Sequence, residues 1–344
     1  MRRLLILPLC LLLAAGLLAQ KRKSKKPEEE PRPQVLEILP EPPDAVSVET
    51  GRLSFQVSPL SSNGLLSQQV RDALKALARA NHGGAIVKIR AFVAGSGDLR
   101  RIKEIVAEEF MSRKQPVPAV STIQVGALPM VGAQVVIEAF TSEKKVVNPS
   151  GLAFTSVSDA REPIARLQSV LNGAGVKAPD VLRVTCFLSS LDDAPAARSA
   201  AASAFPAAAA NFVQMQRLGL EPQMQCESIA RLASPPSAPQ TVQNGVALVN
   251  ASKLVITATQ LVFRDQDSDF RLAYQRLAKS LGTLGAQMKN VLWTGSYALT
   301  KPNAAKLDSM QREFLNHPLA GAAVQIEGLP STDAAAAIEL IAVE

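Results

Sequence analysis

Apolar residues recur along this chain with two periods. Val70, Ala73, Leu74 and Leu77 fall on one face of a helix, and Leu99, Ile102, Val106 and Phe110 on one face of a second. Further on, Ile164, Leu167 and Leu171 repeat the first spacing and are followed by the Ala-rich APAARSAAASAF. A third pair of faces is written by Phe270, Tyr274, Leu277, Leu281 and Leu284, then by Leu307, Met310 and Phe314. Between the two helices of each pair lies a short apolar run with the character of a buried strand: IVKIRAFV, VLRVTCFL and VLWTGSYA. Phe92, Phe187 and Tyr297 stand in register in these runs, 95 and 110 residues apart.

A second landmark follows each second helix. VSTIQVGAL begins at Val120, ANFVQMQRL at Ala210 and GAAVQIEGL at Gly321, each with a Gln between apolar neighbours (Gln124, Gln214, Gln325) and a Leu four residues later. A third landmark closes each unit, in QVVIEAF, MQCESIA and AAIELIA, which align Glu138, Glu227 and Glu339. Three ordered landmarks at nearly constant spacing predict an internal repeat of roughly 90 to 110 residues. The units span residues 51–143, 147–233 (shortened) and 242–344, each reading strands, helix, strand, helix, strand, strand. Two helices on one side of a sheet make an α+β layer. In the third unit KLVITATQ follows ALVN as a hairpin with Asn250 and Ser252 in its turn. The first two units keep only GRLSFQV and GLAFTSV there.

The first 50 residues follow other rules. Two arginines precede an apolar run of 16 residues, Leu4 to Ala19, short of the roughly 20 that span a bilayer. Residues 1–20 therefore read as an export signal, with cleavage near Ala19 or Gln20 and a periplasmic or secreted product. The alternative is an uncleaved anchor, favoured by the cluster KRKSKK that follows. Residues 21–50 read as a linker, basic and then rich in Pro and Glu.

The formal net charge of +7 is matched by residues 1–26 alone, where Arg2, Arg3, Lys21, Arg22, Lys23, Lys25 and Lys26 stand with no acid among them. Residues 27–344 together are neutral and the chain is only 4% aromatic, which argues against nucleic acid as a partner. Lys21 to Lys26 could touch an anionic membrane surface. Of the two histidines, His82 sits in the turn NHGG and His317 before Pro318, which leaves almost no material for a His-rich metal site or a Ser/His/Asp triad, and no metal or cofactor is expected. Cys186 and Cys226 lie in apolar runs; a disulfide and two separate buried thiols are both open.

The ordered set KLVITATQ, GTLGAQMKNVL, AGAAVQIEGLP and AIELIAVE resembles the RidA/YjgF family, and residues 51–344 read as three diverged copies of its unit. The resemblance implies a chorismate-mutase-like fold of β-β-α-β-α-β-β units. Family members are homotrimers with an inner barrel of sheets and ligand clefts between subunits. Three copies on one chain imply a single-chain pseudo-trimer that is monomeric in solution, its copies held at high effective concentration.

The family's active members hydrolyse enamines and imines, 2-iminopropanoate and 2-iminobutanoate among them, using an Arg that grips the substrate carboxylate through two parallel hydrogen bonds. That position is Val120, Ala210 and Gly321 here, and no copy keeps the guanidinium. A Cys frequent in the family corresponds to Thr122, Phe212 and Ala323, and a water-placing acid to Val136, Gln225 and Ala337. Glu138, Glu227 and Glu339 lie two residues further along the same strands, hence on the same face.

The resulting expectation is a non-catalytic relative that binds a small molecule, amino-acid-derived or another metabolite, in clefts between repeats, or that serves as a scaffold. The alternative is an imine deaminase with a rebuilt carboxylate site, for which Arg52, Arg90 and Arg183 are candidates, or another hydrolase using the three glutamates. Gln124, Gln214, Gln325 and the glutamates are the possible polar groups of such clefts. Their structural reading is hydrogen bonding between repeats for the Gln residues and solvated sheet ends for the Glu residues. Phe92, Phe187 and Tyr297 read as core.

Overall fold

The computed structural model describes residues 39–81, 83–158, 162–216 and 223–344. The export signal, the basic segment with Lys21 to Lys26, most of the linker, and His82 lie outside the described residues. Among the described residues no helix is long and apolar enough to cross a membrane.

Among the described residues the chain is mixed α+β, with three sheets. The first holds β2 (Leu53–Val57), β3 (Ala85–Ala94), β4 (Ala119–Val125) and β5 (Val135–Ser142), in the order β2-β5-β3-β4. Helices α1 (Leu66–Ala80) and α2 (Arg101–Ser112) cover one face. The second holds β6 (Leu152–Ser158), β7 (Val181–Leu188), β8 (Ala209–Gln214) and β9 (Met224–Arg231), under α3 (Pro163–Gly173) and α4 (Ala194–Ala204). The third holds β12 (Lys253–Thr257), β13 (Gln260–Phe263), β14 (Val291–Ala298), β15 (Ala320–Gln325) and β16 (Ala334–Val343), under α5 (Asp267–Thr283) and α6 (Lys301–Phe314).

Each sheet contains one parallel pair, β3/β4, β7/β8 or β14/β15, and each such pair needs a helical crossover. The crossovers are α2, α4 and α6. The helices form where their apolar stripes can be buried: Val70, Ala73, Leu74 and Leu77 of α1 are at most 4% exposed. In α4 the buried face is Ala194, Ala197 and Ala201, small enough to lay the helix close on its sheet.

Two strands are exchanged relative to the sequence reading. Val246–Val249 (β11) does not pair with Lys253–Thr257; it pairs with β6 of the second sheet and with β10 (Gln240–Gln243). Residues 240–249, part of which had been read with the third unit, thus extend the second sheet to the order β10-β11-β6-β9-β7-β8. The two-residue turn is Asn244–Gly245, both at positive φ (52° and 77°), the preferred chemistry for a tight hairpin. In the third sheet the corresponding place beside β12 is taken by β1 (Ala45–Glu49), a stretch read with the linker. The expected hairpin fails because apolar pattern and turn residues locate a strand but do not choose its partner; paired with β6, Val246 is buried in the second sheet's core and Ala247 and Val249 in the apolar cluster shared with the other sheets.

Each sheet has its own core beneath its helices, and two further apolar clusters draw on all three sheets. One gathers Phe92, Ile123, Phe187, Val213, Tyr297 and Val324. The other gathers Leu53, Phe140, Phe154, Ile229, Leu254 and Trp293. Phe92, Phe187 and Tyr297 are thus core, each fully buried. Cys186 and Cys226 face each other across β7/β9 and are joined in a disulfide buried under the second pair of helices.

Candidate functional site

Strand alternation carries one set of side chains from each sheet toward the others. On β3 these are Lys88, Arg90 and Phe92; on β7, Arg183, Thr185 and Phe187; on β14, Trp293, Gly295 and Tyr297. Register then fixes the glutamates. Arg90 lies opposite Glu138, Thr185 opposite Glu227 and Gly295 opposite Glu339. All three carboxylates therefore meet in one layer between the two shared apolar clusters, and none is more than 3% exposed. The solvated reading of these glutamates is wrong: three sheets closing on one another take these strand positions out of water.

Three cations answer the three carboxylates. Arg90 Nη2 and Nε donate to Glu138 Oε2 (2.6 and 2.9 Å), Nη2 also to Glu227, and Nη1 reaches Glu339 Oε1 (3.4 Å) and the Tyr297 hydroxyl (3.2 Å). Arg183 Nη2 donates to Glu227 Oε1 (2.7 Å), and its Nη1 stands 3.3 Å from Glu138 Oε2. Lys88 Nζ lies 3.1 Å from Glu339 Oε2 and also donates to Ser121 Oγ and the Thr257 carbonyl.

Hydroxyl and amide groups complete the shell. Thr185 and Asn211 donate to Glu138, and Ser121 and Tyr297 to Glu339. At the third boundary the matching positions are Gly295 and Ala322, which have nothing to donate, and Glu227 Oε2 is left without a partner. The space beside Gly295 is taken by Trp293 and Glu339: a Cβ there would stand 2.8 Å from the Trp293 ring and 3.0 Å from Glu339 Cγ.

The electrostatics follow from this packing. Burial raises the Glu339 carboxyl, but Lys88 and Arg90, with hydrogen bonds from Tyr297 and Ser121, override it and hold the group at about 2. Burial likewise raises Glu138, and Arg90 and Arg183 bring it below its ordinary value. Burial pushes Lys88 down to about 8 against the opposing pull of Glu339. Tyr297 is driven well above its usual range by burial and by Glu339. The cluster sets three cations against three carboxylates and is closed to solvent.

The three glutamines share a different role. Gln124 N donates to the Gly328 carbonyl (2.9 Å) and its carbonyl accepts from Glu327 N (3.1 Å). Gln214 N donates to the Ala127 carbonyl (3.0 Å) and its carbonyl accepts from Gly126 N (2.8 Å). The Gln325 carbonyl accepts from Gln216 N (3.0 Å). Each bond joins the end of one sheet's parallel strand to the segment following another's. The side chains differ: Gln124 Nε2 donates to the Gly95 carbonyl (2.7 Å) and Gln214 Nε2 to that of Ser189 (3.3 Å), while Gln325 lines a cleft.

That cleft, of about 330 Å³, lies between the second and third sheets. Met215 and Met224 form one wall; Leu307 of α6 and Val324 of β15 form the other. Gln225 crosses it to the edge of β15, where its amide donates to the Ala323 carbonyl (2.8 Å) and accepts from Ala323 N (3.3 Å) with oxygen and nitrogen assigned by the groups they face. The positions matched to the family's acid and cysteine thus bind each other. Among the described residues no Lys or Arg lines the cleft.

The other matched positions are no more reactive. Val120 is buried in the first sheet's own core, and Ala210 is exposed on β8. A Cβ on Gly321 would lie 2.2 Å from the Thr294 carbonyl oxygen, so β15 has no room there for any side chain. Thr122 is buried with its hydroxyl unpartnered, and Phe212 is buried with the Arg198 guanidinium 5.8 Å from its ring centre. Val136 and Ala337 belong to the shared apolar cluster. Arg52 pairs with Glu49 (2.9 Å). His317 binds the Val291 carbonyl (2.8 Å), and among the described residues no group of His, Cys, Asp or Glu could hold a metal.

Sequence reasoning missed Lys88, Ser121 and Asn211 in the cluster and Ser296 and Asp308 in the cleft. The signal for Lys88, as for Arg90 and Arg183, is a charge inside an otherwise apolar strand, which demands a buried partner.

No protein-family model matches the chain, and no curated protein matches it. Solved structures do. One is a member of the YjgF/YER057c/UK114 family from Mycobacterium tuberculosis, 20% identical, with 26% of this chain and 79% of that one covered and a TM-score of 0.25. Another is a Rid-family protein of Yersinia pestis, 16% identical, covering 28% and 84%, TM-score 0.27. A third is TdcF of E. coli, solved with bound serine, 17% identical, covering 33% and 91%, TM-score 0.25. Each match spans a third of this chain or less and most of the other.

Proposed function

We propose that this chain is an exported RidA/YjgF-like protein in which three successive units form a single-chain pseudo-trimer, and that it binds a small molecule in the cleft between the second and third units without imine chemistry. The observation that carries this reading is the commitment of every inward cation. Lys88, Arg90 and Arg183 are each held by buried glutamates, and the third unit's matched position, Gly321, cannot carry a side chain. A deaminase with a rebuilt carboxylate clamp needs a guanidinium free to face substrate; Arg90 and Arg183 are not free. Reassigning Glu138, Glu227 or Glu339 as a hydrolytic base meets the same obstacle, since none reaches solvent.

The pseudo-trimer is supported by the three glutamines, whose backbones bond across successive sheet boundaries at corresponding positions. Export is supported by the Cys186–Cys226 disulfide, a bond that persists in oxidising compartments. The test is keto-acid release from 2-aminoacrylate generated in situ, with the full chain beside an active family member. No acceleration is expected from folded protein. Acceleration equal to the control would overturn the reading. A thermal-shift screen of metabolites then identifies ligands by the rise in melting temperature that binding imposes.

A further inference from the structure

Two polar side chains in the cleft have no partner. Ser296 is 5% exposed, and its hydroxyl makes no hydrogen bond among the described residues. Gln325 is 9% exposed, and its amide makes none either. Buried polar groups of this kind are ordinarily hydrogen-bonded, so both are suited to a ligand atom. The walls beside them are apolar, with two methionines able to adapt to a ligand's shape.

Among the described residues that line the cleft, charge has one sign: Asp308, on α6, is the one acid, paired with the exposed Arg312 one turn further along the helix. A ligand carboxylate would find no cation among the described lining residues, would face Asp308, and would meet in Gln225 an amide already bonded to Ala323. A ligand ammonium would find a carboxylate whose present partner is a weak surface pair.

We infer that this cleft takes an amine with an apolar body, its ammonium at Asp308, its body against Met215, Met224 and Leu307, and a polar atom answered by Ser296 or Gln325. The inference rests on the proposed reading of the cleft as a binding site and names its ligand class.

Three probes with one body and different heads test it on the full chain: 2-phenylethylamine, 2-phenylethanol and 3-phenylpropanoate, titrated by calorimetry. Affinities on the order of millimolar are expected for ligands this small, with the amine tightest and the carboxylate weakest. Asp308→Asn should weaken the amine about two- to fivefold, as for a part-exposed ion pair, and leave the alcohol unchanged. Ala304→Phe, on the cleft face of α6, should abolish binding of all three, with Ala304→Leu as the milder filling variant if the first does not fold. Tighter binding of the carboxylate, lost in the filling variant, would overturn the ligand class while leaving the cleft reading intact. Binding that survives the filling variant would place the site elsewhere and overturn the inference. Silence from all three overturns the amine class, and silence across the metabolite screen as well overturns the cleft reading itself.

Discussion

Arg90 on the first sheet and Glu227 on the second are 137 residues apart in sequence and share a hydrogen bond with each side chain only 1% exposed. The same guanidinium reaches Glu138 and Glu339, so one cation joins carboxylates from all three sheets. Its counterparts in register are Thr185 and Gly295. Three identical subunits could not build this arrangement, because symmetry would supply three arginines or none; a single chain can assign one.

Arg90→Met should therefore be among the most destabilising substitutions in the molecule. Breaking a buried ion pair by removing one partner costs roughly 3–5 kcal/mol. Adding Glu138→Gln to the same chain should recover part of that loss, since an uncompensated carboxylate is removed. Urea unfolding of the single and double variants measures both. Equal stability of Arg90→Met and the parent would show that the cluster is not a stabilising centre.

Gly295 makes room for Trp293 and for Glu339, one of the carboxylates that Arg90 reaches. An added Cβ would stand 2.8 Å from the Trp293 ring and 3.0 Å from Glu339 Cγ, close enough that a neighbour must move. Gly295→Ala should cost about 1–3 kcal/mol, the usual range for overpacking. Gly282, with open space around it, is the control: Gly282→Ala in α5 should be neutral or slightly stabilising by the same unfolding measurement.

The aligned Phe92, Phe187 and Tyr297 show what the sequence makes legible: residues of one class at one strand position identify a repeated core. Glu138, Glu227 and Glu339 were equally visible as a register, but not as a meeting point, because convergence depends on how three sheets close. The exchange of β1 and β11 was hidden for a related reason, since a short apolar strand does not state its partner. Asn244–Gly245 was the local sign that Val246–Val249 turns back on Gln240–Gln243. The cleft was the least legible part. Ser296, Gln325 and Met215 become neighbours only when two distant segments pack together.

Acid should expose the cluster's contribution. Glu339 is held at about 2, below the ordinary carboxyl value of 4.5, so its contribution is present above 4.5 and is lost as pH falls toward 2. The linked stability is on the order of 3 kcal/mol. Lys88, at about 8 instead of 10.5, acts in the alkaline range: the unfolded chain binds more protons between these values, so this group's contribution to stability rises with pH there. Glu339→Gln should flatten the acid limb of stability against pH, and Lys88→Met the alkaline slope. An unchanged acid limb in Glu339→Gln would assign acid unfolding to other carboxylates.

The Cys186–Cys226 disulfide closes a separation of 40 residues between strands that are already neighbours. Loop-closure entropy for that length predicts about 4 kcal/mol, and the range found for such bonds is roughly 2–4. Neither sulfur is exposed, so reductant reaches the bond through opening of the second sheet rather than through its surface. Reduction should accelerate steeply as denaturant populates that opening, and Cys186→Ala/Cys226→Ala should lower the urea midpoint. Mass spectrometry after alkylation follows the first, and equilibrium unfolding the second. Rapid reduction in the absence of denaturant would mean that the second sheet opens locally, with the remaining two sheets still closed around Arg90.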